Sequence, residues 1–355
     1  MSADDRDIAE SDRLDAYPHP RETAVLVGQG SAEADLLDAF RAGRLPHAWL
    51  LGGPEGVGKA TLAWRFARFV LAYPDPAVPE VRDASDLALA PDHPMAKRIA
   101  SGGSGDVAVL RREWNDKTGR LFSEIRVEDV RRATGLFQRS SRTGGYRICI
   151  IDCVEDLNRA GANALLKLIE EPPPLSLFLL IAHRPARILP TLRSRCRLLV
   201  LPPLSSDDVL QALRVAAPSS TEAEPEALAE AAARSGGSVR HALHSLGGER
   251  LALDRETRAL LDRLPSVDWG GLHRLADRIG SDQEAFDLLL EAILDWIHGR
   301  LQHLAATDAA PRLAPLAEVW EKIRRSAQDA ESLNLDKRAT LLSIFADLAR
   351  ATRAP

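Results

Sequence analysis

Gly53-Pro54-Glu55-Gly56-Val57-Gly58-Lys59-Ala60 is the stretch on which the reading of this chain turns. Its spacing is G-x-x-x-x-G-K, in which glycines let backbone N–H groups curl around phosphate oxygens and the lysine reaches the terminal phosphates. A Ser or Thr hydroxyl normally follows the lysine and holds magnesium. Here that position is Ala60. Thr61 is a poor substitute as a metal ligand, because one residue further along a helix lies about 100° around the axis. An anion still profits from the exposed N–H groups and dipole at such a helix start. Gly53, Gly56, Gly58, Lys59 and Thr61 are therefore the candidate nucleotide contacts. Three readings stay open: an ATPase, a nucleotide binder with poor turnover, or a former ATPase kept for its shape.

The flanks supply the context that such a loop requires. An apolar strand, Trp49-Leu50-Leu51, runs into it, and the segment Thr61–Val70 follows with apolar residues at 62, 66, 69 and 70, the pattern of an amphipathic helix. Further short apolar runs at Val107–Leu110, Arg147–Ile151 and Leu177–Ile181 have the near-continuous hydrophobicity of parallel strands buried on both faces. A helix is expected to start near Val127. Between Tyr73 and Gly105, repeated prolines and the cluster Ser101-Gly102-Gly103-Ser104-Gly105 predict a surface excursion rather than core.

Composition sets the outer limits. A chain of 355 residues, 45% hydrophobic and 27% charged, has room for two or three globular domains. No run approaches the roughly 20 apolar residues that span a bilayer, and the N-terminus is acidic rather than signal-like, so no membrane is expected and the cytoplasm is the expected location. A net charge of -5 excludes a globally basic nucleic-acid binder. Cys149, Cys153 and Cys196 include no C-x-x-C pair, which supports neither a disulfide framework nor a zinc site; they read as structural thiols.

Four segments follow from these patterns. Residues 1–21 alternate charged and small residues and read as a disordered acidic tail. Residues 22–203 form an α/β nucleotide-type domain with a parallel sheet. Residues 204–249 form a small helical domain, opened by the N-cap signal Ser205-Ser206-Asp207-Asp208. Residues 250–355 are all helix, with Phe286, Leu289, Leu290, Ile293 and Ile297 on one face of one helix and Leu341, Leu342, Phe345 and Leu348 on a face of another.

Chemistry is concentrated at two further places. The strand Ile148-Cys149-Ile150-Ile151 ends in Asp152, where phosphate-loop ATPases keep an acid that organises magnesium, followed by a Glu that polarises water. Cys153 occupies the second place, and a thiol cannot accept the water's proton in the carboxylate's manner at neutral pH. Glu155 lies three residues from Asp152 and is a poor replacement. Past the last buried strand stands Pro190-Thr191-Leu192-Arg193-Ser194-Arg195-Cys196.

The phosphate loop, the strand ending in Asp152, the run Ala162-Asn163-Ala164-Leu165-Leu166-Lys167-Leu168-Ile169-Glu170-Glu171-Pro172-Pro173 and the trio Ser194-Arg195-Cys196 resemble the clamp-loader branch of AAA+ proteins. The last two are specific to that branch. Within it, Leu333-Asn334-Leu335-Asp336-Lys337-Arg338 and the eroded ATPase positions are most similar to the delta-prime family of bacterial DNA polymerase III. The resemblance implies an AAA+ P-loop domain, a helical lid and an all-α collar, in a hetero-pentameric ring with gamma/tau and delta subunits that loads a sliding clamp on primed DNA. It implies that Arg195 is an arginine finger acting in a neighbour's ATP site, and that Arg240 of Gly237-Ser238-Val239-Arg240 senses nucleotide in its own subunit. Lys59 and the glycines are compatible with ATP binding, whereas Ala60 and Cys153 argue against hydrolysis. The stretch Val70–Gly105 lacks the cysteines of the zinc module that many such subunits carry, so no metal is expected. His183 falls near the family's polar sensor position after the third strand, its role open. An ATP-hydrolysing gamma/tau-type subunit is the alternative, and a small-molecule phosphotransferase a more distant one.

Overall fold

The computed structural model describes residues 10–14, 17–118, 120–137, 145–216, 225–246, 248–280, 282–306, 315–316, 318–323 and 336–353. The chain divides into two compact units, Met1–Ala242 and Leu243–Pro355.

The first unit is built on a five-stranded sheet. Its strands are β1 (Ala48–Gly52), β2 (Val107–Leu110), β5 (Arg147–Asp152), β6 (Ser176–Ala182) and β7 (Arg197–Val200), in the spatial order β2-β5-β6-β1-β7. All four pairings are parallel. A separate two-stranded hairpin joins β3 (Trp114–Asn115) to β4 (Arg120–Leu121). Every residue of β1 and β6 is buried, which is why these strands read as unbroken apolar runs. The side-chain period of two sorts them onto two cores. Trp49, Leu51, Ile148, Ile150, Leu177, Leu179 and Ile181 pack on one face with α1 (Gly30–Arg41) and α2 (Lys59–Ala72). Leu50, Cys149, Ile151, Phe178 and Leu180 pack on the other with α5 (Val127–Phe137) and α6 (Arg159–Glu170). This is the parallel P-loop sheet that the AAA+ resemblance implies, with β1 and its following loop in the interior of the strand order.

Local signals set the helix ends. Asn158 Oδ1 accepts from the Gly161 N–H at 2.7 Å and caps α6, which stops short of Pro172. A short α7 (Pro190–Arg193) precedes β7. Ser205 accepts from the Asp208 N–H and donates to the Asp208 carboxylate, opening α8 (Ser206–Ala216). Two more helices, α9 (Pro225–Arg234) and α10 (Val239–Ser245), complete the lid-like segment, most of which clusters with the first unit.

Two expectations need correction. Residues 73–105 are not purely a surface excursion: α3 (Pro79–Arg82) and α4 (Pro94–Ala100) carry Val81 and Ile99 into the core, and Leu87 joins them, each at most 1% exposed. Their single apolar anchors are too sparse to show a period among the prolines. Nor is the N-terminal segment a disordered tail throughout. From Glu10 its described residues dock on the domain, with His19 fully buried against the edge of Trp64. Met1–Ala9 and residues 15–16 lie outside the described residues.

Among its described residues the regular structure of the second unit is helical, and includes α11 (Gly248–Leu261), α12 (Trp269–Ile279), α13 (Gln283–Ala306) and α14 (Lys337–Arg353). Phe286, Leu289, Ile293 and Ile297 of α13 share a core with Leu272 and Leu275 of α12 and with Leu341, Phe345 and Leu348 of α14. Of the motif beginning at Leu333, only Asp336, Lys337 and Arg338 fall within the described residues. No described helix is long and apolar enough to cross a membrane.

Candidate functional site

The glycine loop leaves β1 at the C-terminal edge of the sheet and ends on the first turn of α2, with Gly58 at the N-cap in the left-handed region. Gly53 and Gly56 are required by space as well as by φ. A Cβ on Gly53 would lie 2.2 Å from the Leu201 carbonyl oxygen, and one on Gly56 2.1 Å from Ser238 Oγ, with φ at +146° and +75°. The second contact brings in the lid: the Val239 N–H donates to the Gly56 carbonyl at 2.9 Å. The start of α10 therefore rests directly on the loop.

Lys59 is 3% exposed and points back into the loop, donating to the Gly53 carbonyl at 2.7 Å and to the Pro54 carbonyl. Burial pulls its pKa down to about 8, against the opposing charges of Glu55, Asp152 and Glu155. Asp152 ends β5 half-buried, and loss of hydration raises its carboxyl to about 7, helped by Asp12 and opposed by Lys59. Cys153 follows it, and burial with the neighbouring carboxylates pushes its thiol far up, so no thiolate forms there at neutral pH. Glu155 accepts from the Arg184 backbone N–H at 2.6 Å. It faces the cleft without taking the catalytic position after Asp152.

Arg240 reaches the loop from the lid, but its partner is an acid. Its Nε lies 3.2 Å from Glu55 Oε1, inside the phosphate loop itself. Burial works against the Glu55 charge, yet His183, Arg240, His241 and Lys59 hold its carboxyl below the usual range. His183 stands at the same cleft; burial and Lys59 lower its pKa, against the opposing charges of Glu55 and Glu155. Gly53, Gly56, Gly58, Lys59, Asp152 and Arg240 thus converge on one place, with Thr61 half-buried in the same first helical turn as Lys59. Glu55 was not singled out by motif reading, because that position of the pattern accepts any residue.

Arg195 lies elsewhere. Its Nη2 is 2.6 Å from Glu170 Oε1 at the end of α6, and its Nη1 donates to the Thr191 carbonyl at 3.0 Å. The side chain is 40% exposed. The charges that act most on Lys59, Glu55 and Asp152 do not include it.

A second polar cluster, unread in the sequence, fastens the N-terminal segment. Arg111, just past β2, binds the Asp12 carboxylate at 2.7 Å and also clasps Glu10; Arg21 binds Glu10 at 2.8 Å, and His19 Nε2 lies 3.0 Å from Asp12 Oδ2. Glu10, Asp12 and His19 are close enough together to hold a cation. Two arginines already neutralise those carboxylates, so the group is an ion-pair clamp rather than a metal centre.

Without a ligand, the charged groups of the phosphate loop pair with oxygens of the chain itself. Its lysine is engaged by the loop's own carbonyls, its lid arginine by a loop carboxylate, and no hydroxyl follows Lys59. Ala60 and Cys153 stand where a magnesium-binding hydroxyl and a water-polarising carboxylate are usual.

A family model described as DNA polymerase III, delta subunit, matches residues 28–205. The chain is 36% identical over 193 residues to the DNA polymerase III subunit delta' of Pseudomonas aeruginosa, which covers 54% of this chain and 53% of that protein. It is 30% identical over 197 residues to subunit delta' of Escherichia coli, covering 51% of this chain and 54% of the relative. It is also 35% identical over 177 residues to subunit gamma/tau of Mycobacterium tuberculosis, covering 50% of this chain and 28% of that protein. The chain spans about half the length of the delta' relatives it matches.

Proposed function

The chain belongs to the DNA polymerase III delta-subunit family, and from this we propose that it serves as a delta-prime-like clamp-loader subunit that supplies an arginine finger to a neighbouring ATPase subunit. The observation that supports this most directly is the position of Arg195: half exposed, held by Glu170 and Thr191 on the surface of its own domain, and not among the main charges on its own loop. In the chain's own loop, Ala60 and Cys153 replace the residues that hydrolysis in cis would use. A guanidinium supplied in trans stabilises charge on a transferring phosphoryl group, an effect worth about 10³ to 10⁵ in rate for known fingers.

In this reading the ring contains gamma/tau and delta subunits, the ATP consumed belongs to the neighbour, and sliding clamp and primed DNA are met through the complex. The helices α11–α14 supply the collar. The AAA+ domain, lid and collar correspond to residues 22–203, 204–249 and 250–355.

The test is reconstitution with purified gamma/tau and delta subunits. Arg195→Ala is expected to lower DNA-stimulated ATPase and clamp loading by about tenfold or more at the site it serves, while the exposed neighbour Arg193→Ala leaves both near wild type. Equal activity of the two variants sinks the assignment. Magnesium-dependent hydrolysis by the isolated chain would instead support a gamma/tau-type motor.

A further inference from the structure

The loop carries an acid where a phosphate cradle needs none, and the lid arginine is already paired with it. Around the cleft, Lys59, Arg240 and Arg184 face the carboxyl groups of Glu55, Asp152 and Glu155, so part of its positive charge is offset before any ligand arrives. A site that binds triphosphate relies on an excess of positive charge and free N–H groups. Here two of the positive groups already have oxygen partners: Lys59 on the Gly53 and Pro54 carbonyls, and Arg240 on Glu55.

We infer that Glu55 is the built-in anion of this loop: its carboxylate takes the place of a nucleotide's phosphate toward Arg240 and selects against a bound nucleoside triphosphate. Three contacts hold it there. The Val239 N–H is bonded to the Gly56 carbonyl, Ser238 and the Arg240 backbone abut Gly56, and Arg240 Nε meets Glu55 Oε1. The pair is partly open to solvent, with Arg240 30% and Glu55 43% exposed, so it competes with a phosphate rather than walling it out. An incoming phosphate must separate the pair and then sit beside a fixed negative charge. Glu55 thereby keeps the lid seated on the loop in the absence of nucleotide. This rests on reading Gly53–Lys59 as a nucleotide-type loop, and does not depend on which complex the chain joins.

The experiment is equilibrium binding of a fluorescent ATP analogue, with magnesium, to the full-length chain. Glu55→Gln keeps the shape and removes the charge; it is expected to bind about tenfold tighter than wild type, a gain equivalent to about 1.4 kcal/mol. Glu55→Ala should show the same gain, which guards against a folding artefact of either variant. Adding Lys59→Ala to Glu55→Gln should abolish it. Equal, Lys59-dependent binding by wild type and both Glu55 variants overturns the role of Glu55 while leaving the loop a nucleotide site. A gain that survives Lys59→Ala, or no binding by any variant, overturns both.

Discussion

Arg195 Nη2 lies 2.6 Å from Glu170 Oε1, so the guanidinium proposed to act in a neighbouring subunit is tethered to the last turn of α6 in its own domain. Both residues are well exposed, at 40% and 38%, and an ion pair of this kind contributes about 0–1 kcal/mol. The tether therefore orients Arg195 without holding it against a stronger anion. Glu170→Gln is expected to leave unfolding stability within about 0.5 kcal/mol of wild type and to alter the ATPase of a reconstituted complex by only a few-fold, far less than Arg195→Ala. Urea denaturation and steady-state ATPase measure the two halves. A loss with Glu170→Gln as large as with Arg195→Ala would mean that the pair acts as a unit.

Lys59 gives the loop a distinct alkaline signature. Its folded pKa of about 8 lies below the ordinary lysine value, so between about pH 8 and 10.4 the unfolded chain binds more protons than the folded one. Stability attributable to this residue is lowest below pH 8 and rises as the ammonium loses its proton. The size of the rise is on the order of 2–3 kcal/mol for a shift of about two units. Thermal unfolding of wild type and Lys59→Met from pH 7 to 9.5 should show Tm of the wild type gaining relative to the variant. A constant difference across that range would show that Lys59 is not held as a buried ammonium.

Much of the first unit was legible because its strands are buried on both faces, which leaves apolar runs such as Leu177–Ile181 with no polar residue to confuse the period. The phosphate loop announced itself through glycines that space and φ both demand. β7 was not singled out: Arg197-Leu198-Leu199-Val200 is apolar after its first residue but only four residues long, and three of the four are exposed, so it lacks the two-sided burial that marks the other strands. Glu55 and the Glu10–Asp12–His19 cluster escaped for a related reason. A charged residue looks the same in sequence whether it faces water or a partner, and the partners here, Arg240 and Arg111, lie 185 and about 100 residues away. Only the fold supplies that pairing.

The N-terminal clamp leads to the last expectation. Asp12 is 2% exposed at its side chain and His19 is fully buried, so the ion pairs with Arg111 are shielded from water, unlike the Arg195 pair. Removing one partner leaves a buried charge without compensation, which costs about 3–5 kcal/mol in well-shielded cases. Arg111→Ala is expected to destabilise the first unit by an amount in that range, and Asp12→Asn by less, because the amide keeps a bond to His19. Although burial opposes it, the bond from His19 and the charge of Arg111 hold the Asp12 carboxyl below its ordinary value. The sign then follows: stability from this group is complete above about pH 4 and is lost as pH falls through the lower folded value. Asp12→Asn should accordingly flatten part of the acid limb of the stability curve, measured by urea midpoints between pH 2.5 and 6. Deleting residues 1–21 should cost as much as Arg111→Ala, and a truncated chain as stable as the full one would mean that the segment only rests on the surface.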